Sequence, residues 1–518
     1  MKHFMRAILL CGAILSSFSA GAQYRTDIQP EAVPASSDTV VLTLDQALRI
    51  ALSENVAVQV ADQEITRQEY ARKGTYASLF PQVSGSGSYQ RTIKKQVMYM
   101  GSSSSDDSES SSGGGMAGMM AGILEPVMHY INQLVALHPG QVTPYVPKPA
   151  ENTSDNDGGF EVGRMNTYSF GISAGMPLVN AQLWESIKLS GDQVELAVEQ
   201  ARSSRLDMVT QVKQAFYAVL FAKEGFNVYK NVYENAKANF EQTERRYKVQ
   251  KASELELSRA ASTMANAIPN VYNAENSVML ALWQLKAVMG VDLDRAIDVA
   301  GELGDYADTM FRDLHEGEQA DLSNNTTMRQ LELQAEMLAK SVRVQQFANL
   351  PTLSASFAFN FMSMNDDFKF SQYKWTPYSF AGLSLSIPIF AGGQRYHAVK
   401  QARVQQTELE LQKIQTERQL KIGIRQYLNS METAKKSHDA ATEAVGLAQK
   451  AYDVSAKSFE VGKSTLTDLN DAQLVLTQSQ LARSQAIYNF LVAKSSLEQL
   501  IGADFIDADG NYDPNAIR

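Results

Sequence analysis

The sequence predicts a mainly α-helical chain with a transmembrane β part, laid out as two internal repeats. Three observations carry this. The 518 residues match themselves at long offsets. Each half holds stretches of helical periodicity far longer than ordinary globular helices. Short segments with strict period-two alternation lie before those helices.

Composition sets the bounds. Apolar residues make up 44% and charged residues 20%, which excludes a disordered acidic tail and a polytopic helical membrane protein. No stretch approaches the roughly 18 consecutive apolar residues of a spanning helix. The net charge of −10, without a long basic run, argues against a nucleic-acid partner. The one cysteine, Cys11, excludes a disulfide framework and a thiolate zinc site. Lys2 and Arg6, the apolar residues 7–15 and the small-x-small site Ala20-Gly21-Ala22 mark residues 1–22 as a signal peptide, so an exported mature chain begins at Gln23.

The repeat is read from paired segments. Residues 247–253 (YKVQKAS) resemble residues 459–465 (FEVGKST), 212 positions later. At the same offset Leu257 meets Leu469, Ala260 meets Ala472, Gly290 meets Gly502, and Asp292 meets Asp504. Leu52, Ser53, Asn55 and Pro81 match Leu322, Ser323, Asn325 and Pro351 at an offset of 270. Pro177 matches Pro388 at 211, so the first half carries 59 extra residues between its two prolines. The first repeat is expected over 23–290, a linker over 291–322, the second repeat over 323–500 and a tail over 501–518.

Each repeat opens with a moderate helix, near 44–78 and 323–348. Two strands follow, near 82–92 and 165–178 in the first repeat and near 352–363 and 376–390 in the second. Helical hairpins come next, over 181–289 and 394–500, each a very long helix to about 250 or 461 with a returning helix from 254 or 466. Val209, Val212, Phe216, Val219 and Leu220 show the helical spacing. At 1.5 Å per residue such a helix is about 100 Å long. Pro269 is expected to kink the first returning helix. Periodicity alone also fits a coiled-coil stalk; the strands decide.

Tyr168, Phe170, Ile172, Ala174 and Met176 alternate with Ser169, Gly171, Ser173 and Gly175, and Phe357, Phe359 and Phe361 alternate with Ser356 and Asn360. In the last strand Leu383, Leu385, Ile387 and Ile389 form the apolar set, while Tyr378 and Phe380 sit on the opposite parity, which suggests a slip near Gly382, as at a bulge or the strand's mouth. One apolar and one small polar face is the dyad pattern of an outer-membrane barrel. Four strands cannot close such a barrel, and an open edge in lipid would strand its backbone groups at several kcal/mol each. The chain must donate its strands to a shared barrel. Two copies give eight strands with a plugged interior; three give twelve, which suits a polar inner face.

These residues resemble the TolC-like outer-membrane efflux proteins over nearly the whole mature chain. The resemblance rests on Ala51-Leu52-Ser53-Glu54-Asn55, on Leu79-Phe80-Pro81-Gln82, on Pro388-Ile389-Phe390 with Gly392-Gly393, and above all on residues 459–472 (FEVGKSTLTDLNDA). It implies a homotrimer in the outer membrane of a Gram-negative bacterium, with a 12-stranded barrel continuous with a long periplasmic α-helical barrel. It also implies a passive, non-enzymatic export duct for tripartite efflux or type I secretion, which docks onto a periplasmic adaptor (a membrane fusion protein) and an inner-membrane transporter. Residues 291–322 and 501–518 resemble the family's equatorial belt. A barrel-anchored surface adhesin or scaffold is the alternative from another class.

The turns between the long helices are the expected working ends, with Val249, Gln250, Lys251, Ser253 and Glu256 in the first and Val461, Gly462, Lys463 and Thr465 in the second. Gly462 suits the left-handed residue that ends a helix, and Gln250 suits it less well. Ser253 with Glu256, and Thr465 with Asp468, read as capping boxes. In the family, the Asp-x-x-Asp spacing of Asp468 and Asp471 lines the periplasmic constriction. Residues three apart share a helix face, so a trimer would stack two carboxylate rings that act as a cation gate and raise some of their pKa values. The family's tip lock uses Tyr, Arg and Asp, where this chain has Phe459, Ser464 and Glu256; Lys251 and Lys463 are the candidates to replace the Arg.

The extra segment joins a Ser/Gly tract to an amphipathic stretch over 119–137, within an extracellular insert near 93–164. It reads as a surface loop, a lid across the barrel mouth or a site for a surface partner. Gly171-Ile172-Ser173-Ala174-Gly175 matches the G-x-S-x-G pattern, but the strand alternation runs through it, so Ser173 reads as a small lumen-facing residue. Gly462-Lys463-Ser464 lacks the upstream glycine of a P-loop, the histidines show no metal-binding spacing, and Asp507, Asp509 and Asn511 lack the distant Glu of a calcium loop. No catalytic residue, metal or cofactor is expected.

Overall fold

The computed structural model describes residues 40–98, 160–317, 322–369 and 373–503. The expected signal peptide, the Ser/Gly tract, the amphipathic stretch over 119–137 and the Asp507 cluster lie outside the described residues.

The described elements, in order, are β1 (Val40–Leu42), α1 (Leu44–Glu54), α2 (Val56–Ala77), β2 (Gln82–Arg91), β3 (Gln96–Met98), β4 (Phe160–Val162), β5 (Asn166–Val179), α3 (Ala181–Lys248), α4 (Glu254–Met289), β6 (Ile297–Val299), a 3₁₀ turn (Leu303–Thr309), α5 (Met310–Gly317), α6 (Thr326–Phe347), β7 (Thr352–Asn365), β8 (Thr376–Ser386), α7 (Gln394–Glu460) and α8 (Leu466–Ile501). Two compact units result, one from Met1–Ala71, Leu189–Ser341 and Gln401–Arg518, the other from Arg72–Lys188 and Val342–Lys400.

The first unit holds the main core. Val209, Val212, Phe216 and Val219 of α3 pack with Leu285 and Met289 of α4, Met431 of α7, and Phe490 and Leu491 of α8. Leu48 of α1, Leu303 and Met310 close the cluster. Strands β1 and β6 pair in parallel, Val40 beside Ile297. Lys213 of α3 is buried but reaches Glu498 of α8 at 2.8 Å, and Lys494 of α8 reaches the buried Asp313 of α5 at 2.8 Å. Pairing of this kind makes burial of an ammonium tolerable.

Asparagine–glycine contacts hold the hairpin ends. Asn55 donates from Nδ2 to the Val288 carbonyl at 2.7 Å and accepts at Oδ1 from the Ala57 amide at 2.7 Å. Its backbone leaves the helix with ψ of 128°. The single helix expected over 44–78 is therefore two, because the Asn55 side chain replaces the helical hydrogen bonds it interrupts. Asn325 makes the matching contacts, to the Leu500 carbonyl and from the Met328 amide. Each asparagine faces a left-handed glycine, Gly290 with φ 76° and Gly502 with φ 73°. A Cβ at Gly502 would lie 2.1 Å from the Asn324 carbonyl oxygen, and one at Gly290 would lie 3.0 Å from that of Glu54. Helix α4 continues through Pro269 without ending.

The second unit centres on an antiparallel sheet in the order β2-β5-β7-β8. Register places Ile172 beside Phe359, and Ala174 beside Phe357, on one face. Ser84 and Ser173 share the other, their hydroxyls 2.9 Å apart, as do Ser88 and Ser169 at 2.8 Å. Ser173 thus sits in mid-strand, without the sharp turn of a nucleophile elbow. The expected slip near Gly382 is absent: β7 and β8 pair continuously from Thr352–Ser386 to Met362–Thr376. Tyr378 and Phe380 simply point to the serine face, opposite Asn360 and Ala358. The irregularity falls instead between Pro177 and Val179 of β5, where the proline lacks a backbone donor.

Gly502→Ala should lower the melting temperature sharply, because Asn324 backbone would have to move. Gly446→Ala, with nothing within 4 Å of the added Cβ, should raise stability by up to about 1 kcal/mol as a helix-propensity gain. Thermal unfolding of both variants checks the pair.

Candidate functional site

The two turns between the long helices lie in the first unit, and their geometry starts from how each helix is stopped. At the end of α7 the Gly462 amide bonds to the Phe459 carbonyl and the Lys463 amide to that of Ser458 at 2.7 Å, with Gly462 at φ 76°. This is the Schellman arrangement. The end of α3 repeats it: Gln250 bonds to Tyr247 and Lys251 to Arg246, with Gln250 at φ 58°. Gln250 is the only non-glycine with positive φ among the described residues. A side chain in that region costs about 1–2 kcal/mol, and such strain concentrates at working sites.

Each returning helix starts with a reciprocal cap. Ser253 Oγ accepts from the Glu256 amide at 3.1 Å while Glu256 Oε2 accepts from the Ser253 amide at 2.9 Å. Thr465 Oγ1 accepts from the Asp468 amide at 3.2 Å, and Asp468 Oδ2 accepts from the Thr465 amide at 2.9 Å and its hydroxyl at 2.7 Å. These bonds, the backbone one first, lower the Asp468 pKa from the ordinary 3.8. Within the protomer this is the opposite of the rise expected for stacked rings, because the carboxylate here meets donors rather than other carboxylates. A lowered folded value adds stability above the unfolded pKa and loses it as pH falls through the folded one. Asp468 and Asp471 are both exposed on α8, while Leu466, two positions before the first, and Leu469, between the two, are buried. The aspartates therefore share the face turned away from the packing seam.

Val249 and Val461 are exposed at 63% and 67%, and Gln250, Lys251, Gly462 and Lys463 are exposed with them. Of the residues at the family's lock positions, Phe459 is buried with Ala260, Leu466 and Leu469, beside Phe240 and Tyr452. Ser464 donates to the Ser455 carbonyl at 3.2 Å, and Glu256 is held in its cap.

Sequence reasoning missed Arg246. Its guanidinium lies 5.5 Å over the Phe459 ring and donates to the Phe459 carbonyl at 3.2 Å. An added Cβ at Gly462 would lie 3.3 Å from its Nη2. One arginine of the first hairpin thus clasps the turn of the second, by cation–π attraction and a charge-assisted bond. Asn235 with Gln473 at 3.1 Å, and Asn470 with Thr263 at 3.2 Å, join the hairpins further along. The available signal was a cation in the last turn of a long helix, which suits the helix dipole but does not say what it touches. Among the described residues no group of three or more His, Cys, Asp or Glu could hold a metal ion.

Gln250→Gly should stabilise the protein by about 1 kcal/mol by relieving the left-handed glutamine. Gly462→Ala should destabilise it, through both φ and the approach of Arg246. Denaturant unfolding of the purified protein measures both, and an unchanged midpoint for Gln250→Gly would mean the turn stores no strain.

Comparison with known proteins follows the same architecture. A model of the outer membrane efflux protein family matches residues 150–291 and 319–503. Outer membrane protein TolC of Escherichia coli is 24% identical over 353 residues, 65% of this chain and 70% of that protein. The cobalt-zinc-cadmium resistance protein CzcC of Cupriavidus metallidurans is 23% identical over 310 residues, 60% of this chain and 71% of that protein. The crystal structure of the Campylobacter jejuni CmeC outer membrane channel superposes with a TM-score of 0.60 at 16% identity, covering 89% of this chain and 85% of that one, which shows a shared fold. With a family match over more than half its length, the chain belongs to the outer membrane efflux protein family.

Proposed function

We propose that this chain is the outer-membrane duct of a tripartite efflux or type I secretion system, a passive tube that docks onto a periplasmic adaptor and an inner-membrane transporter. The observation that carries the reading is the four-stranded sheet with both outer edges, on β2 and β8, unpaired among the described residues of the protomer. Its apolar face exposes Phe357 at 47% and Leu383 at 71%. A sheet with that face in lipid must pair its edges. Joining β8 of one copy to β2 of the next closes twelve strands from three copies, wide enough to conduct. The helices support the same assembly: Leu447 and Val454 of α7, with Val461 just past its end, are exposed at spacings of seven, and Ile268, Tyr272, Met279 and Trp283 of α4 are exposed on another helix. Such apolar stripes call for neighbouring helices. The matching Asn55–Gly290 and Asn325–Gly502 contacts support duplication of one unit, with 23–290 and 323–500 as the copies; sequence pattern alone supports 291–322 and 501–518 as the equatorial belt and 1–22 as an export signal. The comparisons lend no support to an adhesin, and the names of the relatives are those of channel and resistance proteins rather than enzymes.

The exposed tips Val249, Gln250, Lys251 and Val461, Gly462, Lys463 form the docking end for the adaptor, with Ser253, Glu256 and Thr465 fixing their shape. Asp468 and Asp471, repeated threefold, form the cation gate.

Detergent-solubilised protein should have three times the monomer mass; a stable monomer would end this reading. In planar bilayers the channel should be cation-selective and blocked by trivalent cations from the tip side. Asp468→Ala combined with Asp471→Ala should abolish the block and leave the trimer folded. Thr465 still caps the helix in that variant, so losing the reciprocal bond from Asp468 weakens the cap without removing it. Persistence of the block in the double variant would place the constriction elsewhere.

A further inference from the structure

One end of the four-stranded sheet carries chemistry that a passive duct does not use. Arg91 pairs with Asn166, Asn166 with Asn365, and Met362 with Thr376, so the four strands reach that end together. Their opposite ends lead towards α2, α3, α6 and α7. Just past the strand ends, residues 91–95, 164–166, 366–369 and 373–375 include six Lys or Arg and two Asp, in a chain whose net charge is −10.

Two of these cations are neutralised locally. Arg164 and Lys95 converge on Asp366, at 2.6 and 3.2 Å. Arg91, Lys94, Lys369 and Lys374 remain. The Arg91 guanidinium lies 5.3 Å over the Phe368 ring, and the three lysines are exposed and form no ion pair among the described residues. A tier of aromatic rings sits beside them. Tyr89 stacks on Tyr168 at 4.8 Å, Tyr168 meets Tyr373 at 5.4 Å, and Phe170 meets Trp375 at 5.7 Å. Tyr89 and Arg91 are two apart on one strand and share its face. That face also carries Phe170, Ile172, Phe359 and Phe357. Along it the chemistry passes from aliphatic and phenyl groups, through amphipathic rings, to cations. This is the layering of hydrocarbon, interface and phosphate level at a bilayer surface.

We propose that this strand-end belt binds the phosphate groups of lipids in the outer leaflet of the outer membrane. The proposal rests on the barrel reading, which sets the apolar face in lipid and the helices in the periplasm, and so turns this end outward. Cations alone would serve a free anion equally well. The aromatic tier fits an amphiphile, whose phosphates sit above an apolar body.

The test uses the full-length protein in detergent, titrated with diphosphorylated lipid A, with its dephosphorylated form and with inorganic phosphate, and followed by thermal unfolding. Only diphosphorylated lipid A should raise the melting temperature. Arg91→Gln, Lys94→Gln, Lys369→Gln and Lys374→Gln together should weaken its apparent affinity by about fivefold per cation removed. Arg91→Lys should retain it. Should the quadruple variant not trimerise, Lys369→Gln with Lys374→Gln, two exposed positions, gives the same comparison. An equal response of wild type and variant, a response to inorganic phosphate alone, or none in the wild type overturns the proposal. Native mass of each sample is read first. A trimer that does not respond rejects the belt alone, whereas a stable monomer rejects the barrel and the belt with it.

Discussion

Everything about this chain turns on the backbone hydrogen bonds at the two outer edges of one sheet. Strands β2 and β8 each offer a row of amides and carbonyls with no strand partner among the described residues of the protomer. In water such edges are a hazard that proteins blunt with charge or proline. In lipid they are untenable, because no solvent can satisfy them. The sheet has Phe357, Phe359 and Ile172 on one face and Ser84, Ser173 and Ser88 on the other, and the proposed barrel sets the first in lipid and the second towards a wet interior. In the proposed assembly, the need for partners, the symmetry and the passage through the middle follow from this one constraint.

The helical unit solves a different problem. Helices of 68 and 67 residues bury too little of their length against the chain's own core to be held by it throughout. The core gathers at one level, around Phe216, Leu285, Met431 and Phe490. Away from it, order comes from end effects. Schellman turns stop the outgoing helices, reciprocal caps start the returning ones, and Asn55 and Asn325 bond to carbonyls near the hairpin ends. At the tips the small cluster around Phe459 and the clasp from Arg246 join the two hairpins. The aspartates are drawn into the same economy: Asp468 completes a cap before it can do anything else, and its lowered pKa records that bond.

What was legible in the sequence is what local physics determines. Hairpin limits could be read because Ser253 and Thr465 cap, because Gly290, Gly462 and Gly502 adopt left-handed backbone, and because period two gives way to the helical period around residue 180. The faces of the strands were legible for the same reason, since alternation assigns each side chain to a side. Tyr378 and Phe380 show the limit of such reasoning. Their opposite parity suggested a slip, at a bulge or the strand's mouth, yet the register runs on without one, and two rings lie on the serine face.

Tertiary structure decided what depends on partners distant in sequence. Asn55 broke an expected helix because its amide found Val288, 233 positions away. The register irregularity settled at Pro177, where β5 meets β7, rather than where hydropathy pointed. Arg246 gained its role only because folding set the end of the first hairpin against Phe459, 213 positions later. The cations at the strand ends come from four separate segments, and the richest, 91–95, holds only three of the six. Amphipathic period and capping chemistry are properties of neighbouring residues and can be read along the chain. Clasps and charged belts are properties of proximity, which only the packing of long-range contacts creates.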